Sequence, residues 1–528
     1  MPEDYRKLTR PLWEHEYGLV GGGSGGFKRD LAMLFLARTF DLYLKRGGKL
    51  GFLMPFTIFK SQAGTGFRRF LATRTKILVI HDMVTLYPFE GATNRTASIV
   101  VEKPCELKEI SSTSCPELKE ITATNKKINH VIGINKSKRP IPTDSHPEDV
   151  LKETERFEAL MSPIVESDVS SPWMQITEKL LPYIRRITQG SSQYEAREGV
   201  LCALNQVYFV EVKGKTPDGK LIITNPPEPG QKKKVKQVEV PIEPDLVYPL
   251  IRGRDVKKWY VEYKNRYIIV PHDPKTGKII SETDLKVKYP STYNYLTLYK
   301  DELKKRSIKP FLSLKGRLKK ANESSRRVIE KELDSKFSMV DNIGSYTFAP
   351  YKVVWKYIAG SITGKASSFS CAVLSLINDK IAIPNEKLML IPFENLDEAY
   401  YVSGVLNSVI ARTIISSYVI ETEISTHITK VINVPKYNPN NNLHAKISDL
   451  SKRAHEVAKC IYAETKPDYC NNIRNPEKEL MEIEKELDKT VAKLYDIPED
   501  VLDDFRKLFT MLSGEEVPEE SEQVSYSA

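Results

Sequence analysis

The chain has 528 residues, enough for two or three domains with cores of their own. Its hydrophobic content of 41% and charged content of 28% are those of an ordinary globular protein and exclude a low-complexity or fibrous chain. The formal net charge of +10 suits a polyanionic partner, and no apolar run approaches the length of a membrane span, so a cytoplasmic protein is expected.

In chain order, residues 1–26 read as irregular and end in a Gly-rich run at 21–26. No hydrophobic strand precedes that run, so a flexible loop is expected there and a cofactor cradle is not. Residues 27–46 are predicted helical from Leu31, Leu34, Phe35, Leu42 and Tyr43 at three- and four-residue steps, with Gly47 and Gly48 as the stop. Lys49–Pro55 reads as a nearly all-apolar strand of the kind buried on both faces of a parallel sheet. A helix over 61–75 and strands at 77–83 and 96–102 follow. This alternation predicts an α/β sheet.

Residues 106–189 read as a connector with helical segments near 148–162 and 173–187. Residues 190–440 change to short β-rich pieces divided by Pro, Gly and Lys, which predicts a separate, mainly β domain. Within it, 398–416 reads as one amphipathic helix. Residues 441–512 are predicted helical and 513–528 form an acidic tail expected to be disordered.

The charge is concentrated. Residues 304–327 hold ten Lys/Arg and the single acid Glu323, and Lys232, Lys233, Lys234 and Lys236 form a second cluster. Such clusters among aromatics fit either a nucleic-acid face or a solvated surface. The six cysteines form no CxxC pair, so reduced structural thiols are expected, and the eight histidines show no metal-ligand spacing.

Residues 27–104 resemble the back half of the catalytic domain of N6-adenine DNA methyltransferases of the gamma type, the TaqI-like and type IIG restriction-modification methylases. The pieces that carry the resemblance are Asp30-Leu31 with Phe35-Leu36, Gly47-Gly48 through Phe52 and Pro55, Arg69-Phe70-Leu71, Tyr87-Pro88, and Thr96–Val101. Residues 249–259, 350–357, 400–408 and 432–437 resemble target-recognition domains, and 483–496 their C-terminal helix. The resemblance implies the C-terminal half of a Rossmann-like methyltransferase sheet (1–105), a target-recognition domain for double-stranded DNA, and S-adenosylmethionine as cofactor.

It also implies roles. Tyr87, with Phe89 as the alternative, would stack on an extruded adenine, or Tyr87 is a core or loop tyrosine. Base–aromatic stacking is worth ~1–3 kcal/mol. Asp30, Pro55, Phe56, Asn94 and Arg95 would lie on the substrate side, with Asp30 alternatively a first-turn acid of its helix. Arg252, Arg254, Lys257 and Lys258, together with Lys315, Arg317, Lys319 and Lys320, would meet DNA, mostly at phosphate. Trp259 and Trp355 are expected in the core.

Two motifs of the family are expected upstream of Met1: the cofactor-binding Gly turn and Asn-Pro-Pro-aromatic. No catalytic residue and no metal ligand is therefore expected in this chain. The one internal Asn-Pro-Pro, at Asn225–Pro227, is followed by Glu228, which cannot stack on a base, and it reads as a turn. The expectation is a site-specific DNA adenine methyltransferase that needs a separate polypeptide for its N-terminal half. The alternatives are a DNA-binding specificity subunit or an inactive truncated remnant.

Overall fold

The structure is a computed structural model. It describes residues 3–21, 29–83, 86, 95–104, 116–136, 141–142, 144–190, 192–227, 233–358, 369–419 and 424–513.

The first unit is built on a six-stranded sheet. Its strands are β1 (Lys49–Pro55), β2 (Lys76–Met83), β3 (Thr96–Glu102), β4 (Ile128–Asn135), β5 (Thr154–Pro163) and β6 (Trp173–Ile176), in the order β1-β3-β2-β4-β5-β6. Only β2 and β4 run parallel as neighbours; every other pair is antiparallel. Helices α1 (Glu3–Pro11), α2 (Leu31–Leu42) and α3 (Thr65–Arg74) accompany it. Asp30 caps α2, its carboxylate accepting from the Ala32 amide at 3.0 Å. That settles its structural role as a helix cap.

Two expectations about this unit fail. The connector of 106–189 is not separate: β4, β5 and β6 all come from it and extend the sheet. Residues 154–163, read as helix, continue as a strand after a short helix at Pro147–Glu153, and 173–176 are strand before the helix Leu181–Thr188. Pairing with β4 and β6 overrides local helical periodicity here. Nor is β1 buried on both faces. It lies at the sheet edge, antiparallel to β3, and Lys49, Gly51 and Leu53 are exposed in alternation.

The second unit holds a six-stranded sheet, ordered Glu239–Ile242, Leu221–Thr224, Phe209–Lys215, Tyr267–Ile269, Val247–Ile251, Ile383–Pro384. A four-stranded sheet joins Cys371–Leu374, Tyr351–Lys356, Leu388–Phe393 and Arg197–Glu198. A helical insertion contains α4 (Lys309–Leu318) and α5 (Glu323–Ser335). The helix expected over 398–416 is two helices, α6 (Leu396–Asn407) and α7 (Val409–Tyr418). Ser408, extended at φ −61° and ψ 151°, breaks them and caps α7 through its hydroxyl.

Helices α8 (Asn442–Tyr462), α9 (Pro476–Leu494) and α10 (Glu499–Ser513) close the molecule. Cys460 and Cys470 form a disulfide with Cα atoms 5.5 Å apart, against the expectation of free thiols. The chain turns back after α8, and that return, invisible in the spacing, brings them together. One continuous core runs from Ile132, Met174 and Ile176 of the first sheet through Trp259 and Trp355 to Val491 and Phe505. Both tryptophans are fully buried, as expected. Among the described residues no helix is long and apolar enough to cross a membrane.

Candidate substrate-side cluster and nucleic-acid interface

Pro55 ends β1, and the Phe56 amide donates to the Arg95 carbonyl at 2.8 Å. The Phe56 ring is buried, stacked 6.2 Å from His130, with the Arg95 guanidinium 4.7 Å and the Lys60 ammonium 5.2 Å from its centroid. Phe56 therefore supports Arg95 from below and offers no open ring face.

Arg95 grips Asp82 with both arms of its guanidinium: Nε lies 2.8 Å from Oδ1, and Nη2 bonds Oδ2. Asp82 is buried at the end of β2. Gln175 of β6 donates from Nε2 to Asp82 Oδ2 at 2.8 Å and sits 2.9 Å from His130 Nε2. His130 Nδ1 lies 2.9 Å from the Ile80 carbonyl. The network assigns a neutral imidazole that donates from Nδ1 and accepts at Nε2. Burial pushes its pKa down to about 4, against the pull of Asp82. Residues of three strands, β2, β4 and β6, thus meet in one buried polar cluster, and Arg95, just before β3, is its partly exposed member.

Arg68 shapes the approach. It is buried in α3, with Nε 3.0 and 2.9 Å from the Ser170 and Ser171 carbonyls and Nη1 2.9 and 2.7 Å from those of Ile58 and Ser61. It locks residues 56–61, hence Phe56 and Lys60, against the loop before β6. Desolvation lowers its pKa to about 9.

Of the predicted substrate-side residues, Pro55, Phe56 and Arg95 come together here, while Asp30 is at the start of α2. Tyr87, Phe89 and Asn94 lie outside the described residues. Asp82, His130 and Gln175 were missed. The available signal was weak: Gln175 stands alone in an apolar strand, but Asp82 and His130 share theirs with other polar residues, Lys76 and His81 in β2 and Asn129 and Asn135 in β4.

The predicted DNA-facing cations divide into two groups. Arg252 is buried, its amide 2.8 Å and its Nε 3.7 Å from Asp255 Oδ2. Lys258 has 23% of its side chain accessible and pairs with Glu484 of α9 at 2.7 Å; the Trp259 indole donates to the same carboxylate at 2.6 Å. These two cations hold the molecule together, which corrects their expected place at the surface. Arg254 is largely exposed, and Lys257 lies 4.4 Å over the Tyr462 ring.

In the helical insertion, Arg317, Lys319 and Lys320 are exposed at the end of α4, with Arg317 3.6 Å from Glu332, while half-buried Lys315 donates to the Arg306 carbonyl at 3.3 Å. The Asn225 side chain is buried and fully engaged. Its Nδ2 donates to the Lys236 carbonyl (3.1 Å) and the Tyr299 hydroxyl (3.0 Å), and its Oδ1 accepts from the Val238 amide (2.8 Å). Asn225 is the anchor of a loop, as expected of a turn.

No protein-family profile matches the chain. Over 182 residues it is 26% identical to the type II methyltransferase M.NspV of Nostoc sp., a stretch covering 34% of this chain and 31% of that protein. Among solved structures, the type IIL restriction-modification enzyme MmeI in complex with DNA aligns at 10% identity over 97% of this chain and 55% of its own, TM-score 0.49. The type IIG restriction endonuclease BpuSI aligns at 14% identity over 94% of this chain and 52% of its own, TM-score 0.27. The chain thus spans about a third to a half of the proteins it matches.

Proposed function

We propose that the chain is the DNA-recognition portion of a site-specific adenine-N6 DNA methyltransferase of a restriction-modification or related defence system. It acts with a separate polypeptide that supplies S-adenosylmethionine binding and catalysis. The observation that carries this reading is the joining of two parts. A sheet contains β1, β2 and β3 in the order the resemblance implies, with Pro55, Phe56 and Arg95 gathered at one end, and it is fused to a β-rich unit bearing an exposed cationic helical insertion. The partial match to a type II methyltransferase supports the same class.

The described residues do not fit S-adenosylmethionine. Gly21 packs so closely that an added Cβ would lie 2.6 Å from the Gln62 carbonyl oxygen, and the β1–α3 crossing is filled by buried Phe56, Ile58 and Phe59. That misfit is common to this reading and to a second, in which the chain is a specificity subunit that binds DNA without an active complement.

The two readings separate on one experiment. The chain is co-expressed with the product of the reading frame immediately upstream, and N6-methyladenine in the DNA is measured by mass spectrometry. Methylation with both chains and none with either alone is expected; DNA binding with no methylation would leave the specificity role. The isolated chain should bind duplex DNA with steep salt dependence, because phosphate contacts release counterions. Tight calorimetric binding of S-adenosylmethionine by the isolated chain would overturn the first reading.

A further inference from the structure

The ribbon that carries Lys257 is held from two sides. Its strands are Val256–Lys257 and Tyr260–Val261. At its tip, Glu484 of α9 takes Lys258 and the Trp259 indole. On its flank, Tyr462 in the last turn of α8 stacks on Tyr260 with ring centroids 6.0 Å apart, and the Lys257 ammonium rests over the Tyr462 ring. The ribbon therefore follows wherever the α8–α9 hairpin places Tyr462 and Glu484.

Residues 463–475 join those two helices, and little packing holds them. Cys470 is the only buried residue among them. Apart from the Cys460–Cys470 bond, the side-chain bond that ties this connector to α8, among the described residues, is the Tyr469 hydroxyl on the Glu456 carbonyl at 3.3 Å. Segments with few buried contacts open locally, so the covalent tie governs this one. Cys460 stands two residues before Tyr462. It has no exposed surface, whereas Cys470 keeps 8%, so a thiol reaches the bond from the Cys470 side.

We propose that the Cys460–Cys470 disulfide is a thiol-sensitive clamp on DNA binding: closed, it holds Tyr462 beneath Lys257 and fixes that cation for a phosphate; opened, it releases both. A thiolate of a dithiol reductant attacks Cys470 Sγ, the S–S bond breaks, and Cys460 Sγ leaves with the electron pair and takes up a proton. The reductant's second thiolate then displaces Cys470 Sγ, which is protonated in turn, and the reductant closes its own disulfide. The protein gains two electrons and the dithiol loses them. A lysine already ordered on a ring loses less freedom on meeting a phosphate. The DNA side of the clamp rests on the reading above, in which this unit binds DNA.

The test measures duplex-DNA binding by fluorescence anisotropy over a salt series, for the oxidised full chain and the same chain reduced with dithiothreitol. Iodoacetamide labelling of Cys460 and Cys470 verifies the state of the bond. Reduction should weaken binding about two- to fivefold and lower the salt slope by up to about one. Hydrogen exchange in residues 463–475 should quicken by at least about tenfold. Tyr462→Leu, which keeps the disulfide, should bind DNA as the reduced chain does and no longer respond to dithiothreitol. Equal affinity and slope in the two states, with both cysteines labelled after reduction, would make the bond a structural staple; that overturns the clamp and leaves the proposed function standing. A full response to dithiothreitol in Tyr462→Leu would overturn the route through Lys257. Absence of DNA binding in either state would overturn the proposed function and the clamp together.

Discussion

Replacing Arg68 with Met tests whether one buried guanidinium sets the geometry of the substrate-side cluster. The substitution keeps most of the aliphatic volume but removes the donors to four carbonyls at 2.7–3.0 Å, those of Ile58, Ser61, Ser170 and Ser171. A hydrogen bond from a charged donor is worth roughly 1.5–3 kcal/mol, and buried acceptors left without donors cost more, while deleting a desolvated charge returns part of that. The net loss should be about 3 kcal/mol, which for a unit of this size lowers the melting temperature by roughly 6–12 °C. Trp173, stacked 5.7 Å from Phe59 in the segment Arg68 pins, gives a local readout. Its fluorescence should shift before the global transition in the variant, and Arg68→Lys should fall between wild type and Arg68→Met. A melting temperature within about 2 °C of wild type would refute the reasoning, because the four carbonyls would then have found other partners or water.

The same geometry makes three further demands. His130 is held below its ordinary pKa, at about 4 against 6.5, so between these values the unfolded chain binds the extra proton. Its contribution is full above pH 6.5 and is lost as pH falls; by pH 5 urea titration should show wild type losing about 2 kcal/mol that His130→Gln does not lose. Ala at Arg317, Lys319 and Lys320 together should lower the slope of log affinity for DNA against log salt by about 1–3 with unchanged melting, whereas Lys258→Met should keep the slope and cost about 2 kcal/mol, discounted for its partial exposure. An unchanged slope in the triple variant would remove α4 from the interface. Asn225→Ala should cost about 2–4 kcal/mol through three lost hydrogen bonds, measured by thermal melting; a stable variant that abolishes methylation would instead place chemistry at this Asn-Pro-Pro.

Local signals were readable where one element decides its own fate. The helix expected over 27–46 is present but shorter, as α2 (Leu31–Leu42), and the helical character expected over 441–512 stands as α8, α9 and α10. What could not be read depends on partners far along the chain. Thr154–Pro163 becomes a strand because β4 and β6 are there to pair with it. Lys258 looks like a surface cation until Glu484 of α9 takes it inside. In the candidate site, Pro55 and Phe56 were visible as strand-end residues and Arg95 as a residue of the loop between the last two strands. Asp82, His130 and Gln175 were not, because polar residues scattered along strands gain meaning only when the sheet brings β2, β4 and β6 together.

The bonds between the first unit and the helices of the last hundred or so described residues bear on how the molecule is made. Lys60 donates to the Ser416 carbonyl at 3.2 Å, Lys179 pairs with Asp504 at 2.6 Å, and Arg186 reaches the carbonyls of Tyr495 and Asp496 at 3.4 and 3.3 Å. The first sheet leaves the ribosome well before the helices that cover its inner end, which come some three hundred residues later. At ~5–20 residues per second that interval is on the order of tens of seconds. During it, Met174, Ile176 and Ile184 have no lid, and contacts of such long sequence separation form slowly. Synthesis of this chain therefore includes a vulnerable period in which chaperone occupancy, rather than final stability, governs yield, and a chain shortened before α10 would stay in that state.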